Sequence, residues 1–185
     1  MQNDQNHHRR SIRLKHYDYS QPGVYYITIV TREREHLFGD IIDDEMHLNS
    51  LGEIVRDEWL KTPSIRPEIE LGEYIIMPNH FHAIIHILEN EPSVSIGSGD
   101  RPVAPTDCPV VEKRPGPMPK SLGALVGGFK SSVTVRINQF RATPGVPVWQ
   151  RNYYEHIITS EKDYDNTETY IVNNPLNRNT DNEYS

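Results

Sequence analysis

Three runs of β-branched and aromatic residues constrain this chain more than any other feature. Val24-Tyr25-Tyr26-Ile27-Thr28-Ile29-Val30-Thr31 reads as a strand, and its nearly unbroken apolar character implies burial on both faces. Residues 69–77 read as a second long strand and residues 80–88 as a third, with Pro78-Asn79 interrupting the pair. A short hairpin is expected around Phe38-Gly39-Asp40 and Asp43-Asp44. Three stretches keep helical period instead. The first starts at Asn49 or Ser50, with Glu53 three residues after Ser50 in a capping-box spacing. It runs to about Lys61 with Leu51, Ile54, Val55 and Trp59 on one face, and Pro63 stops it. The second spans 121–140 with Leu122, Leu125, Val126, Phe129, Val133 and Ile137 in register. The third takes Ser160 as its cap and runs to about Asn174, ended by Pro175, with Glu161 and Asp163 suited to its positive N-terminal end.

The length of 185 residues suits one domain, here residues 23–177. Before it, residues 1–22 form a polar, basic arm closed by Gln21-Pro22-Gly23. After it, 178–185 form a tail. Residues 90–119 carry so much Ser, Gly and Pro that they read as a flexible insertion, with too little apolar sequence on either side for two cores. Cys108 is the single cysteine, so no intramolecular disulfide forms, and it reads as a spectator thiol. No apolar run approaches the ~20 residues of a membrane span, and the N-terminus lacks the apolar core of a secretory signal. A cytoplasmic location is the expectation.

The net charge of −7 speaks against nucleic acid until its distribution is read. Arg9, Arg10, Arg13 and Lys15 fall in one stretch without an acid. Lys113, Arg114, Lys120, Lys130, Arg136, Arg141 and Arg151 fall in another. An acidic back with two basic tracts can still hold a phosphate backbone.

Met77-Pro78-Asn79-His80-Phe81-His82 is the strongest local signal. Alternate residues of a strand share a face, so His80 and His82 project together with Phe81 buried behind. Two imidazoles so placed make half a site for a divalent cation, although alternate histidines in a strand are also common as hydrogen-bonded surface residues. His86 shares the parity but lies roughly 13 Å from His82 at ~3.3 Å per residue, too far to share an ion. With Ile84 between them, the pattern is not that of the histidine-triad nucleotide hydrolases. Tyr170 and Asn174 fall one turn apart on the last helix, which puts a phenol and an amide oxygen on one face. Near a cation such a phenol can act as a nucleophile; alone, it reads as a packed ring with a wet hydroxyl. Trp149 to His156 interleaves aromatic and basic residues. It reads equally as a base-stacking and phosphate-holding segment, or as core Trp149 and Tyr154 beside a Glu155–His156 surface pair.

Taken in order, Arg10-Ser11-Ile12-Arg13-Leu14-Lys15, Tyr17-Asp18-Tyr19, the Met77–His82 motif, Phe129-Lys130-Ser131, the Val148–His156 segment and Tyr170-Ile171-Val172-Asn173-Asn174-Pro175 resemble a REP-associated tyrosine transposase. These proteins are relatives of the HUH single-tyrosine transposases of small bacterial insertion sequences. The resemblance covers roughly residues 9–177 except the insertion. It implies an α+β, ferredoxin-like fold with a central antiparallel sheet, helices on one face and a C-terminal helix carrying the nucleophile. It implies that His80 and His82 bind one Mg²⁺ or Mn²⁺ ion, with Asn174 at the position of the third ligand, and that Tyr170 attacks DNA. Arg9, Arg10, Arg13, Lys130 and Arg151 would hold the strand. The implied substrate is single-stranded DNA with a hairpin from palindromic repeats, and monomer and homodimer both remain open. Two other readings use the same residues: a non-catalytic binder of hairpin DNA, and a phosphodiesterase that hydrolyses with water.

Overall fold

The computed structural model describes residues 17–89 and 118–178. Arg9, Arg10, Arg13 and Cys108, most of the expected insertion and most of the expected tail lie outside the described residues. The long runs form the strands β1 (Gly23–Val30), β4 (Ile69–Ile76) and β5 (His80–Ile87), and a fourth, β6 (Tyr154–Ile158), completes the sheet. The hairpin is β2 (Gly39–Ile42) with β3 (Glu45–Leu48). The helices are α1 (Ser50–Leu60), a single turn α2 (Thr62–Ile65), α3 (Leu122–Arg141) and α4 (Glu161–Val172).

The sheet has the order β4-β5-β1-β6, and every neighbouring pair is antiparallel. β5 therefore separates β1 from β4, the two strands joined across α1, and β1 separates β5 from β6, joined across α3. Two interleaved βαβ units of this kind are the ferredoxin-like arrangement. Side-chain alternation divides the sheet into two unlike faces. Tyr25, Ile27 and Ile29 of β1 and Phe81, Ala83 and Ile85 of β5 point to α1 and α3 and share one large core with Trp59, Val126, Phe129 and Ile137. Phe81 meets Trp59 edge-on, with ring centroids 4.8 Å apart, and lies 5.3 Å from Phe129. The opposite face carries a small cluster in which Ile171 of α4 packs on Tyr26, Ile84 and Ile158. Thus α1 and α3 cover one face, and α4 lies over the other.

Some local readings differ in detail. Asn49, not Ser50, caps α1, its side chain accepting from the Leu51 and Gly52 amides at 2.8 and 3.1 Å. Pro63 does more than stop α1: it sits in the first turn of α2, where its missing N–H costs nothing. α4 ends at Val172, two residues before its expected end, and Asn174 and Asn177 donate back to Ile171 and to Asn173 and Asn174 in a tighter continuing turn. In β4 the pairing slips between Leu71 and Tyr74, and at Gly72 a β-carbon would stand 2.9 Å from the Ile84 side chain, so the slip needs glycine.

Candidate metal and nucleophile site

His80 and His82 open β5 and are buried, 0% and 1% exposed, on the face that α4 covers. Burial sets aside the reading of two surface histidines. Their rings lie 4.5 Å apart, and the His82 ring lies 5.4 Å from that of Tyr170. The helix thus brings the expected phenol onto the expected imidazoles, while leaving Tyr170 41% exposed. Asn174 follows one turn later and is fully buried.

Each imidazole is held by its Nδ1. His80 Nδ1 is 2.7 Å from Asn79 Oδ1. His82 Nδ1 is 2.7 Å from the Tyr26 hydroxyl and 2.9 Å from Thr28 Oγ1, and Thr28 donates to Tyr26 at 3.1 Å. Register explains this clamp: Thr28 is the direct cross-strand partner of His82, and Tyr26 shares its face two residues away. Partners of this kind fix the orientation of an imidazole ring. Alternation along β1 already puts Tyr26 and Thr28 together, but their nearness to His82 depends on strand register, which the sequence does not display.

The corner before His80 is braced as well. Thr31 donates to the Asn79 carbonyl at 2.8 Å, and the Leu37 and Phe38 amides both donate to the Pro78 carbonyl. The adjoining Glu33 and Arg34 are left-handed, φ 56° and 57°. Each such non-glycine residue costs about 1–2 kcal/mol, a strain of the sort that concentrates at functional sites.

α4 is set by its first turn. Ser160 caps it by accepting from the Asp163 amide at 3.2 Å. His156 of β6 donates to the Asp163 carboxylate at 2.9 Å, which holds that carboxyl below its usual range. His156 therefore pairs across to α4 and not with Glu155, which is buried under the sheet's other face. Trp149 is buried as expected of a core residue, packing on Phe38 at 5.1 Å, whereas Tyr154 stays 42% exposed beside Tyr26.

Two other tyrosines could compete as nucleophile. Tyr164 faces His86, 5.8 Å between rings, not the His80–His82 pair. Burial and then the carboxylates of Glu168, Glu73, Glu70 and Asp165 push its phenol up, which opposes ionisation. Tyr154 sits on β6 opposite Thr28, across β1 from His82.

Of the expected strand-holding cations, Arg151 is exposed. Lys130 is placed differently. Its ammonium donates to the backbone carbonyls of Gln150, Arg151 and Asn152 at 2.5, 3.3 and 3.3 Å, so it holds the segment that carries Arg151. Burial pulls its pKa down to about 8. An open groove of about 310 Å³ lies alongside, between α3 and Pro147–Arg151.

Among the described residues, no three His, Cys, Asp or Glu side chains gather as a metal site. The converging side chains are the two imidazoles and the Tyr170 ring. No described helix is long and apolar enough to cross a membrane.

The described residues thus form an α+β antiparallel sheet whose histidine pair faces a tyrosine of the last described helix. The solved structure of a REP-associated tyrosine transposase bound to a REP hairpin shares this fold, with a TM-score of 0.54 and 20% identity over 90% of this chain and 72% of that one. The resemblance read from the motifs therefore holds in the fold. More particularly, the chain belongs to one family with an uncharacterized protein of Haemophilus influenzae, 42% identical over 170 residues, 92% of this chain and 89% of that protein. No protein-family model matches the chain.

Proposed function

We propose that this protein is a metal-dependent strand transferase that cuts and rejoins single-stranded DNA beside a hairpin, with Tyr170 as nucleophile. The observation that carries this reading is the 5.4 Å approach of the Tyr170 ring to His82, itself 4.5 Å from His80. The hairpin-bound neighbour with the same fold supports DNA as the partner.

The donor chemistry fits Mg²⁺ or Mn²⁺. His80 and His82 would bind through Nε2, and Asn174 would add its amide oxygen. These ligands are all neutral, so a bound cation would keep its full charge for polarising the scissile phosphate and offsetting negative charge in the transition state.

In the proposed step the Tyr170 phenol, whose unperturbed pKa is about 10, gives up its proton, and its oxygen attacks phosphorus. The bond to the 3′ oxygen breaks, and that oxygen takes up a proton as a free 3′-hydroxyl. The 5′ phosphate stays on Tyr170. Reversal by a new 3′-hydroxyl rejoins the strand without ATP, because the phosphotyrosine bond conserves the energy of the broken phosphodiester. Arg151, on the segment that Lys130 holds, would grip the strand.

A suicide oligonucleotide tests this reading. In Mn²⁺ the wild type should form a covalent adduct resolvable by denaturing gel, and Tyr170→Phe should form none while still binding the hairpin. An adduct persisting in Tyr170→Phe moves the nucleophile to Tyr154 or Tyr164. Metal-dependent cleavage without any adduct makes the enzyme a hydrolase, and binding without cleavage makes it a hairpin-binding protein.

A further inference from the structure

We propose that Asn79 is a positioning residue: it locks His80 in the tautomer whose Nε2 carries the lone pair, and so makes that nitrogen a ligand before any cation arrives. The proposal rests on the metal reading given above for its purpose, but not for its evidence.

An asparagine amide has one end that accepts and one that donates. At Asn79 the surroundings distinguish them. Nδ2 lies 3.4 Å from the carbonyl oxygen of Arg34, a group that can only accept, so this end is the donor. Oδ1 is then the end turned to His80, 2.7 Å from Nδ1. A carbonyl oxygen facing a ring nitrogen at that distance requires a proton on the nitrogen. The neutral imidazole of His80 is therefore protonated at Nδ1, and its lone pair is on Nε2. Asn79 and His80 are both fully buried, so no bulk water competes for this bond.

The frame around Asn79 leaves the amide little freedom to turn over. Its own carbonyl accepts from Thr31. The Arg34 carbonyl is presented by the left-handed Glu33–Arg34 pair, which is itself tied by the Thr31 hydroxyl to the Glu35 carbonyl at 2.8 Å. Turning the amide over would set Nδ2 against a protonated Nδ1 and Oδ1 against a carbonyl oxygen, losing both bonds. A strained turn thus supplies the acceptor that orients the amide, and the amide sets the proton on the ring. His82 is held by hydroxyls instead: Thr28, which donates its proton to Tyr26, has only a lone pair to offer Nδ1, and the Tyr26 hydroxyl lies 2.7 Å from the same nitrogen. The two histidines therefore differ in what holds them, an oriented amide at His80 and a pair of hydroxyls at His82.

The test is heteronuclear NMR of ¹⁵N-histidine-labelled, metal-free full-length protein at a pH where the imidazoles are neutral. His80 should show a pyrrole-type Nδ1 and a pyridine-type Nε2. A protonated Nε2 on His80 in the wild type overturns the assignment and needs no variant. In Asn79→Leu the preference should collapse toward the mixture of tautomers of a free imidazole, and Mn²⁺ affinity, read by the electron paramagnetic resonance of free Mn²⁺, should fall by about 10- to 100-fold. Asn79→Asp, which keeps an acceptor at the same place, should restore the Nδ1–H tautomer. Unchanged tautomer and unchanged Mn²⁺ affinity in Asn79→Leu sink the proposal. A wild type that shows the expected tautomer but never forms a DNA adduct defeats the strand-transfer reading and leaves the role of Asn79 standing.

Discussion

On one face of the sheet Phe81 meets Trp59 and Phe129; on the other, one residue to either side, His80 meets His82, and His82 meets Tyr26, Thr28 and Tyr170. The same strand serves both. The α1/α3 face is a deep apolar core in which loss of shape is costly. The α4 face buries polar groups, the two histidines held through Nδ1 by neighbouring side chains, over a small apolar cluster of Tyr26, Ile84, Ile158 and Ile171. The deep apolar core lies on one side and the histidine–tyrosine site on the other, so the two can be perturbed separately.

The sharpest way to break this division is on the polar face. On the proposed function, replacing both histidines, His80→Ala with His82→Ala, should remove the several kcal/mol that a cation bound there would supply to the transition state, a loss of about 10²- to 10³-fold in Mn²⁺-dependent adduct formation. Adduct formation at the wild-type rate would place the chemistry elsewhere. On the apolar face, Trp59→Ala should cost about 3–5 kcal/mol in urea unfolding, because Trp59 is fully buried against Phe81 and Phe129. Tyr170→Phe, on a half-exposed ring, should change stability by no more than about 0.5 kcal/mol. Equal losses in the two variants would mean that the faces are not separate.

Lys130 sits at the border between the two regimes. If it acts by holding the Gln150–Asn152 carbonyls, Lys130→Met and Arg151→Ala should each weaken single-stranded DNA binding several-fold, and the double variant should be no worse than the stronger single one. Additive losses in fluorescence anisotropy, with the salt slope falling by about one for Lys130→Met, would instead make Lys130 a direct phosphate contact.

The smallest effect belongs to the charge cluster joining α1 to α3. Burial works against ionisation of Glu58. Bonds from Ser132, Lys61 and Arg136 outweigh it and hold its pKa down to about 2. A folded pKa below the unfolded one means that this stabilisation is complete above the ordinary carboxylate range and is lost as pH falls through about 2. Unfolding midpoints measured from pH 5 to 2 should drop more steeply in the wild type than in Glu58→Gln. Parallel curves would show that the cluster contributes nothing.

Much of this division could be read in the residues, and some could not. Runs of β-branched and aromatic residues located β1, β4 and β5, and period-3.6 patterning located α1, α3 and α4, to within two residues, because buried strands and the buried face of a helix leave apolar imprints of different period. The parity of His80 and His82, with Phe81 opposed, was visible from strand alternation. Cross-strand register was not. Nothing in residues 23–30 says that Thr28 and not Val30 lies opposite His82, so the Tyr26–Thr28 clamp stayed hidden. Nor could charge alone show that Lys130 turns inward. A basic residue is read as a phosphate contact until a loop is seen to offer it three carbonyls. Asn79 looked like punctuation before a strand, and its amide acquires a task only when Arg34 is bent back toward it.

The long connection between β5 and α3 departs from a part of the molecule remote from the histidines. Ile87 pairs with Gly23, at the opposite end of β1 from Val30, the partner of His80. On return, Leu122 hangs its amide on the Tyr19 carbonyl, just ahead of Gly23. Seven residues of strand, roughly 23 Å, separate Ile87 from His80, and five, roughly 17 Å, from His82. That end of the sheet is therefore a natural splice point, where a reporter or a foreign recognition module could be grafted while the histidine end keeps its geometry.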